Sequence, residues 1–125
     1  MKKLKKIYIA IPYSKMDKNL SYEFANEVSV YFINKGYNVF SPITHSHPLT
    51  KYGLRGDFEF WEAMDKQFVD WADEIVIVVV PENGWELIET SIGVQGEKKH
   101  AEETGKPVKY FSYVGKKFIK QPELV

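Results

Sequence analysis

The chain has 125 residues, which fits one domain of common size, and 44% hydrophobic residues supply enough apolar surface for a core. Seventeen basic and seventeen acidic side chains cancel, so no net positive charge favours a nucleic acid polymer or an anionic membrane as a partner. The sequence contains no cysteine, which excludes disulfides and thiolate chemistry and makes the cytoplasm the expected location.

A basic start leads into the first predicted strand. After Lys2, Lys3, Lys5 and Lys6, the apolar run from Ile7 to Pro12 is too short for a secretory signal, so we expect a solvated lead-in. The longest apolar run, Ile75 to Val80, falls far short of the roughly 20 residues that a membrane span needs, so a soluble protein is expected. Both runs are typical of buried strands in a parallel sheet, where continuous apolar stretches replace alternation.

A first helix is predicted between this strand and a short second strand from Tyr37 to Phe40. Gly36 is placed to end the helix, because glycine readily adopts the left-handed conformation that follows a last helical turn. The apolar positions of the helix recur at helical spacing at Phe24, Val28, Tyr31 and Phe32.

Two more helices are predicted in the second half of the chain. The later one runs from about Ile92 to Thr104, is closed by Gly105, and precedes a last strand from Pro107 to Phe111. The earlier one can be capped by Asp57 and has predicted core positions at Trp61, Met64, Phe68 and Trp71. Strands that alternate with helices predict one α/β domain over residues 1–125, in three layers and Rossmann-like or flavodoxin-like, with a mostly parallel sheet of four to five strands.

Polar residues follow the predicted strands, at the sheet edge where ligands bind in such folds. The segment Ser41 to His47 contains two histidines that could converge on zinc, but no cysteine and no third-ligand spacing accompanies them. We therefore expect no metal and favour hydrogen bonding to a substrate. The residues expected to line a pocket at this edge are Pro12, Tyr13, Ser14, His45, His47, Asn83 and Trp85.

The segment from Ser91 to Glu97 places a carboxylate on the inner face of a predicted helix. Val94, Glu97 and Ala101 share one helical face, so the acid occupies a position patterned for a core or a cleft. Gly93, one turn earlier, leaves room for another group to approach. Taken alone, the segment is explained more simply by a carboxylate that favours the positive end of the helix dipole.

Two aspartates precede the third predicted strand. Asp65 follows a core-patterned position and lies on the margin of the buried stripe, where a surface acid is the simpler interpretation. Asp73 lies at the junction between helix and strand, where aspartate often serves as a turn or cap residue.

These residues together resemble the nucleoside 2-deoxyribosyltransferase superfamily, which includes the 2'-deoxynucleoside 5'-monophosphate N-glycosidases. The resemblance rests on Tyr8 in the first strand, on Asp65 followed eight residues later by Asp73 and a hydrophobic strand, and on Ser91-x-Gly93-x-x-x-Glu97. The more local pattern is similar to small domains of the DUF1937 type. It comprises Tyr8-x-Ala10-x-Pro12-Tyr13-Ser14, Ser41-Pro42-Ile43-x-His45-Ser46-His47 and Ser91-Ile92-Gly93-Val94-Gln95-x-Glu97.

The resemblance implies an enzyme that acts on the N-glycosidic bond of a nucleoside or nucleoside 5'-monophosphate. Glu97 would attack the anomeric carbon and form a glycosyl-enzyme, Asp65 would act as acid/base and orient the sugar, and Tyr8 would contact the nucleophile or the sugar. Ser91 would bind a 5'-phosphate or a sugar hydroxyl at its helix start. No cofactor is needed.

Several questions stay open at this level. The N-glycosidases carry a Gly-Ser and arginine-bearing loop after the first strand, where this chain has Pro12-Tyr13-Ser14-Lys15, so Lys15 or Arg55 are the substitutes for binding phosphate. Hydrolysis and transfer are both compatible with the pattern. A non-catalytic nucleotide-binding or sequestering module is the alternative, and a purely structural adaptor ranks last. A homo-oligomer is expected, because superfamily sites lie near subunit contacts and the Trp61 helix has more aromatic surface than one face needs.

Overall fold

The computed structural model describes residues 4–114 and the backbone of residues 117–121, so Lys2 and Lys3 of the predicted lead-in lie outside the described residues. The strands are β1 (Lys6–Ala10), β2 (Asn38–Phe40), β3 (Glu74–Val79), β4 (Val108–Val114) and β5 (Lys117–Gln121). The helices are α1 (Lys18–Asn34), α2 (Pro42–Ser46), α3 (Phe58–Trp71), α4 (Gly84–Thr90) and α5 (Ile92–Glu103), with a 3₁₀ helix at His47–Tyr52.

The strands form one sheet in the order β2-β1-β3-β4-β5. The first four are parallel, and β5 pairs antiparallel with β4 at the edge. This order is the flavodoxin-like one, in which the chain direction across the sheet reverses between β1 and β3. The predicted fold class, one α/β domain with a mostly parallel sheet, is confirmed.

Helices cover both faces of the sheet. Because side chains alternate along a strand, Ile7 and Ile9 of β1 point to one face and Tyr8 and Ala10 to the other. Ile7 and Ile9 join an apolar core with residues of α1 such as Val28. Tyr8 and Ala10 join a second core with residues of α3 and α5. Within the described residues, no helix is long and apolar enough to cross a membrane.

The helix ends follow from local chemistry. At the start of α1, the Asp17 carboxylate accepts a hydrogen bond from the Leu20 N–H at 2.9 Å. At the start of α5, the Ser91 hydroxyl accepts one from the Val94 N–H at 3.1 Å. Gly36 and Gly105 follow α1 and α5 with φ angles of 95° and 74°, as expected for glycines that end helices.

The buried stripe of α3 differs from the predicted one. The structure buries Trp61, Asp65 and Val69, whereas Met64 and Trp71 of the predicted stripe are 43% and 39% exposed. Relative to the prediction, the buried face of α3 is rotated about the helix axis. As a result, Asp65, and not an apolar residue, is the buried residue one turn after Trp61. Two expectations are corrected accordingly: Asp65 is buried instead of marginal, and Met64 and Trp71 are not core residues.

Two predicted loops contain short helices. After β2, Ser41 caps α2 by accepting a hydrogen bond from the Thr44 N–H at 3.3 Å, and Pro42 occupies the first turn. After β3, α4 begins at Gly84, where a Cβ atom would lie only 2.7 Å from Cγ1 of Val79. These helices redirect the side chains that the sequence placed in open loops.

Candidate active site

A cleft of about 250 Å³ opens beyond the carboxyl ends of β1 and β2. It lies at the carboxyl edge of the sheet, where open α/β sheets bind ligands. Seven of the residues predicted for the site line this cleft: Pro12, Tyr13, Ser14, Asp65, Ser91, Gly93 and Glu97.

Glu97 lies in the second turn of α5 and is 5% exposed. The hydroxyl of Tyr8, which is fully buried in the middle of β1, donates a hydrogen bond to Oε2 of Glu97. Burial raises the pKa of Glu97 well above its usual range, the hydrogen bond from Tyr8 opposes this, and the nearby Asp65 charge adds to it. The pKa of Tyr8 is raised by its burial and by the charges of Glu97 and Asp65, so Tyr8 keeps its proton and acts as the donor.

Asp65 faces the same cleft from α3 and is 6% exposed. Burial raises the pKa of its carboxyl to about 7. Within residues 4–114 its side chain has no hydrogen-bond or ion-pair partner, so both oxygens are available to a bound molecule. A carboxyl that is half protonated near neutral pH can both give and accept a proton.

The two acids interact, so their protons belong to the pair. Two singly protonated arrangements exist, with the proton on either Asp65 or Glu97. The Tyr8 hydrogen bond stabilises the ionised form of Glu97 and therefore favours the arrangement with a neutral Asp65. A carboxylate nucleophile beside a carboxylic acid is the pairing that retaining glycoside chemistry uses.

Ser91 and Gly93 have structural duties in addition to their place in the cleft. The Ser91 oxygen already accepts the cap hydrogen bond from Val94, which leaves its hydroxyl proton free to be donated to a ligand. Gly93 lies beside Phe58, whose Cβ and Cδ1 atoms are 3.7 Å from the position of a Cβ atom at Gly93. The sequence predicts that an unspecified group approaches α5 at Gly93, and in the structure this group is Phe58.

Tyr13 and His47 form the wall between this cleft and a second cavity of about 470 Å³. The Tyr13 hydroxyl lies 2.7 Å from Nδ1 of His47, and Nε2 of His47 lies 3.1 Å from Oδ1 of Asn19. Since the Asn19 oxygen can only accept, Nε2 carries the proton and Tyr13 donates to Nδ1. His47 therefore borders the second cavity and reaches the main cleft only through Tyr13.

Three predicted pocket residues lie away from the main cleft, which corrects the expectation that they line it. His45 is exposed on α2, with its ring 5.9 Å from that of Trp61. Trp85 packs its ring 5.1 Å from that of Tyr110 against the core. Asn83 is exposed at the residue before α4. The short helices α2 and α4 turn these side chains away, a consequence that the loop prediction could not include.

The remaining charged candidates are also placed by the structure. Lys15 lines the main cleft, whereas Arg55 lines the second cavity and holds the Asp57 carboxylate through two hydrogen bonds of 2.8 and 2.6 Å. This pairing explains why the Asp57 side chain does not cap α3. Asp73 accepts a hydrogen bond from the Lys6 N–H at 2.8 Å, as expected of a junction residue.

Among the described residues, no three or more histidine, aspartate or glutamate side chains converge as metal ligands.

Sequence reasoning missed several apolar lining residues because loops and helix starts carry no periodicity that marks a cleft. These are Ile11, Pro42, Ile43, Phe58 and Trp61, of which Trp61 was assigned to the core.

Comparison with solved structures defines the class of protein. The fold is similar to that of the 2-deoxyribosyltransferase from Bacillus psychrosaccharolyticus, with a TM-score of 0.56 and 26% identity over 88% of this chain and 74% of that chain. It is also similar to the 2-desoxiribosyltransferase from Leishmania mexicana, with a TM-score of 0.56 and 20% identity over 86% of this chain. This chain spans 64% of the length of the Leishmania protein. These similarities place the chain in the nucleoside 2-deoxyribosyltransferase-like superfamily.

Sequence comparison then defines the family. The profile of DUF1937, a domain of unknown function, matches residues 5–113, and the chain belongs to this family. A comparison with curated protein sequences finds no match.

Proposed function

We propose that this protein cleaves or exchanges the N-glycosidic bond of a nucleoside or nucleoside 5'-monophosphate through a covalent intermediate on Glu97. The observation that carries the proposal is the pair of buried carboxyls in one cleft, of which Glu97 accepts a hydrogen bond from Tyr8 and Asp65 has no partner among the described residues. Burying two acids side by side destabilises a fold, so their presence favours catalysis over a packing role.

In the first step, an oxygen of ionised Glu97 attacks the anomeric carbon as the bond from this carbon to the base nitrogen breaks. The electron pair of the broken bond goes to the base, and Asp65 donates its proton to the base. Tyr8 holds the attacking carboxylate in position and stabilises its charge before attack. The products of this step are a neutral base, an ionised Asp65 and a sugar bound to Glu97 through an ester.

In the second step, a nucleophile attacks the same carbon and Glu97 leaves as a carboxylate. Asp65 accepts the proton of that nucleophile, which restores the starting state of both acids. Water as the nucleophile gives hydrolysis, and a second base gives transfer. Both outcomes use the same residues, so the ability of the open cleft to hold a second base decides between them.

Glu97→Gln tests the proposal with a panel of nucleosides and nucleoside 5'-monophosphates. The variant keeps the size of the side chain and its acceptor for Tyr8 but is a far weaker nucleophile, so base release falls by about 10³-fold or more. Base release is followed by chromatography of the free base. Glu103→Gln at the exposed end of the same helix is the matched control and keeps wild-type activity.

The alternative, a non-catalytic binding module, predicts a different result from the same samples. Nucleotide recovered unchanged in stoichiometric amounts from wild-type protein contradicts the catalytic proposal. Equal base release by wild type and Glu97→Gln contradicts the assigned nucleophile while leaving an enzyme in place.

We propose in addition that the protein is cytoplasmic and forms homo-oligomers. The support for self-association is an exposed apolar stripe along α3, where Phe60, Met64 and Trp71 are 44%, 43% and 39% exposed. Sedimentation equilibrium measures the mass in solution. A mass of one chain at every concentration contradicts the proposal, and fractionation of cells tests the location.

A further inference from the structure

Phe58, the first residue of α3, lies in the cleft but has no part in the chemistry of the two acids. A Cβ atom at Gly93 would lie 3.7 to 3.8 Å from Cβ, Cδ1 and Cγ of Phe58. A Cβ atom at Gly96 would lie 2.5 to 3.5 Å from Cε2, Cζ and Cδ2 of the same ring. These distances place the ring of Phe58 directly beside α5.

The ring of Phe58 packs against α5 at Gly93 and Gly96. Gly96 cannot carry even a methyl group without moving Phe58, because 2.5 Å is well inside the contact distance of two carbon atoms. The absence of a side chain at Gly96 therefore admits the ring close to the backbone of α5. A side chain held in this way is ordered before a ligand binds, which lowers the entropy cost of binding.

Phe58 packs against α5 and also borders the cleft. Phe58 is half-buried and lines the cavity together with Gly93 and Glu97. Because Gly96 directly precedes Glu97 in α5, the ring and the carboxylate are held by neighbouring positions of one helix. A flat group stacked on Phe58 would therefore lie beside the nucleophile.

The other aromatic side chains of the cleft are tied by polar contacts. The Tyr13 hydroxyl is bonded to His47, and the indole N–H of Trp61 donates to the Arg55 carbonyl at 2.6 Å. Phe58 has no polar atom and is partly exposed at the cleft, which suits contact with an uncharged planar molecule. Stacking between a nucleobase and an aromatic side chain contributes about 1–3 kcal/mol and is tolerant of base identity.

We infer that Phe58 is the platform on which the nucleobase stacks while its glycosidic bond faces Glu97. This inference rests on the proposed function and assigns the base subsite, which the sequence had placed near Tyr13 and Trp85. It also gives a reason for the glycine at position 96, directly before the nucleophile.

Binding of a 2'-deoxynucleoside to Glu97→Gln protein, measured by titration calorimetry, tests the inference without turnover. Adding Phe58→Leu to this protein raises the dissociation constant about tenfold, because the planar surface is lost. Adding Phe58→Tyr, which keeps the ring, retains most of the affinity. Adding Phe60→Leu, an exposed aromatic two residues away on the same helix, leaves the dissociation constant unchanged.

Equal affinity of Phe58→Leu and its parent overturns the inference, as does a Phe58→Tyr variant that binds as weakly as Phe58→Leu. Gly96→Ala gives a second route, since the added methyl group displaces the ring and weakens binding in the same direction. Turnover of the same nucleoside by protein with Glu97 intact is measured in parallel. Binding that depends on Phe58 without any turnover contradicts the proposed function and supports the platform.

Discussion

The two faces of the sheet bury side chains to similar depth but with opposite chemistry. On the α1 face, the buried polar groups are paired: Ser21 and Ser29 donate hydrogen bonds to backbone carbonyls at 2.7 and 2.8 Å, and Glu74 forms an ion pair with Lys109 at 2.7 Å. On the α3 and α5 face, Tyr8, Asp65 and Glu97 interrupt the core with ionisable groups. One face thus stabilises the fold, and the other uses part of that stability to hold two acids out of water.

Removal of the Tyr8 hydroxyl is expected to give the largest difference between the two faces, because it lowers activity. Tyr8→Phe removes the donor to Glu97, so the pKa of Glu97 rises further and less of it is ionised. We expect activity at neutral pH to fall by about 10- to 100-fold and the acidic limb of the pH–rate profile to move to higher pH. Tyr110→Phe, which removes a hydroxyl from the same core, is the control and leaves the profile in place. An unchanged acidic limb in Tyr8→Phe would show that Tyr8 does not tune the nucleophile.

The opposite face is expected to respond in stability alone. Val28→Ala in α1 leaves a cavity at a fully buried position and lowers the free energy of unfolding by about 2 kcal/mol. Val30→Ala, two residues along the helix at 57% exposure, changes it by less than about 0.5 kcal/mol. Denaturant titration measures both values. A loss of activity in folded Val28→Ala would contradict the claim that the α1 face affects stability alone.

The smallest effect is a gain of stability on the catalytic face. The pKa of Asp65 is about 7 in the folded protein and lower when the chain unfolds, so the unfolded state releases the proton first as pH rises. The free energy of unfolding therefore decreases between about pH 4 and pH 7. Above pH 7 the full loss of stability caused by the ionised Asp65 carboxyl is present. Asp65→Asn removes this loss of stability. The substitution is expected to stabilise the protein by the order of 1–2 kcal/mol at pH 8 and to have little effect at pH 4.

Glu62→Gln, an exposed acid on the same helix, is the control for this measurement. It changes stability little at either pH, because its charge is already in water and its ion pair with Lys66 is a surface one. A gain in Asp65→Asn that is the same at pH 4 and pH 8 would contradict the linkage to ionisation.

Sequence patterns predicted one acid of the pair better than the other. The spacing of Val94, Glu97 and Ala101 places the carboxylate on an inner face, because no competing apolar stripe runs along α5, although the segment taken alone is explained more simply by the helix dipole. In α3, the stripe through Met64 and Trp71 is more apolar than the buried one through Asp65 and Val69, so periodicity favoured the wrong face. The choice is made by tertiary packing, since the cleft and the approach of Phe58 to α5 set the rotation of α3.

The lining of the site was predictable where strands end and unpredictable where short helices follow. Pro12, Tyr13 and Ser14 come directly after β1, so their position followed from the sheet edge. His45 and Trp85 lie in α2 and α4, which are five and seven residues long. Helices of this length show no full period of apolar positions, so the sequence could not indicate which way their side chains point.

The central claim, a covalent bond between the sugar and Glu97, is tested most directly by mass spectrometry of the trapped intermediate. A 2-deoxy-2-fluoro nucleoside slows both steps by destabilising positive charge at the anomeric carbon, which lets the glycosyl-enzyme accumulate. The account predicts a gain in protein mass equal to one fluorinated sugar, located on the peptide that contains Glu97 and absent from Glu97→Gln. Base release by wild type with no such mass gain, or a gain located on another residue, would contradict it.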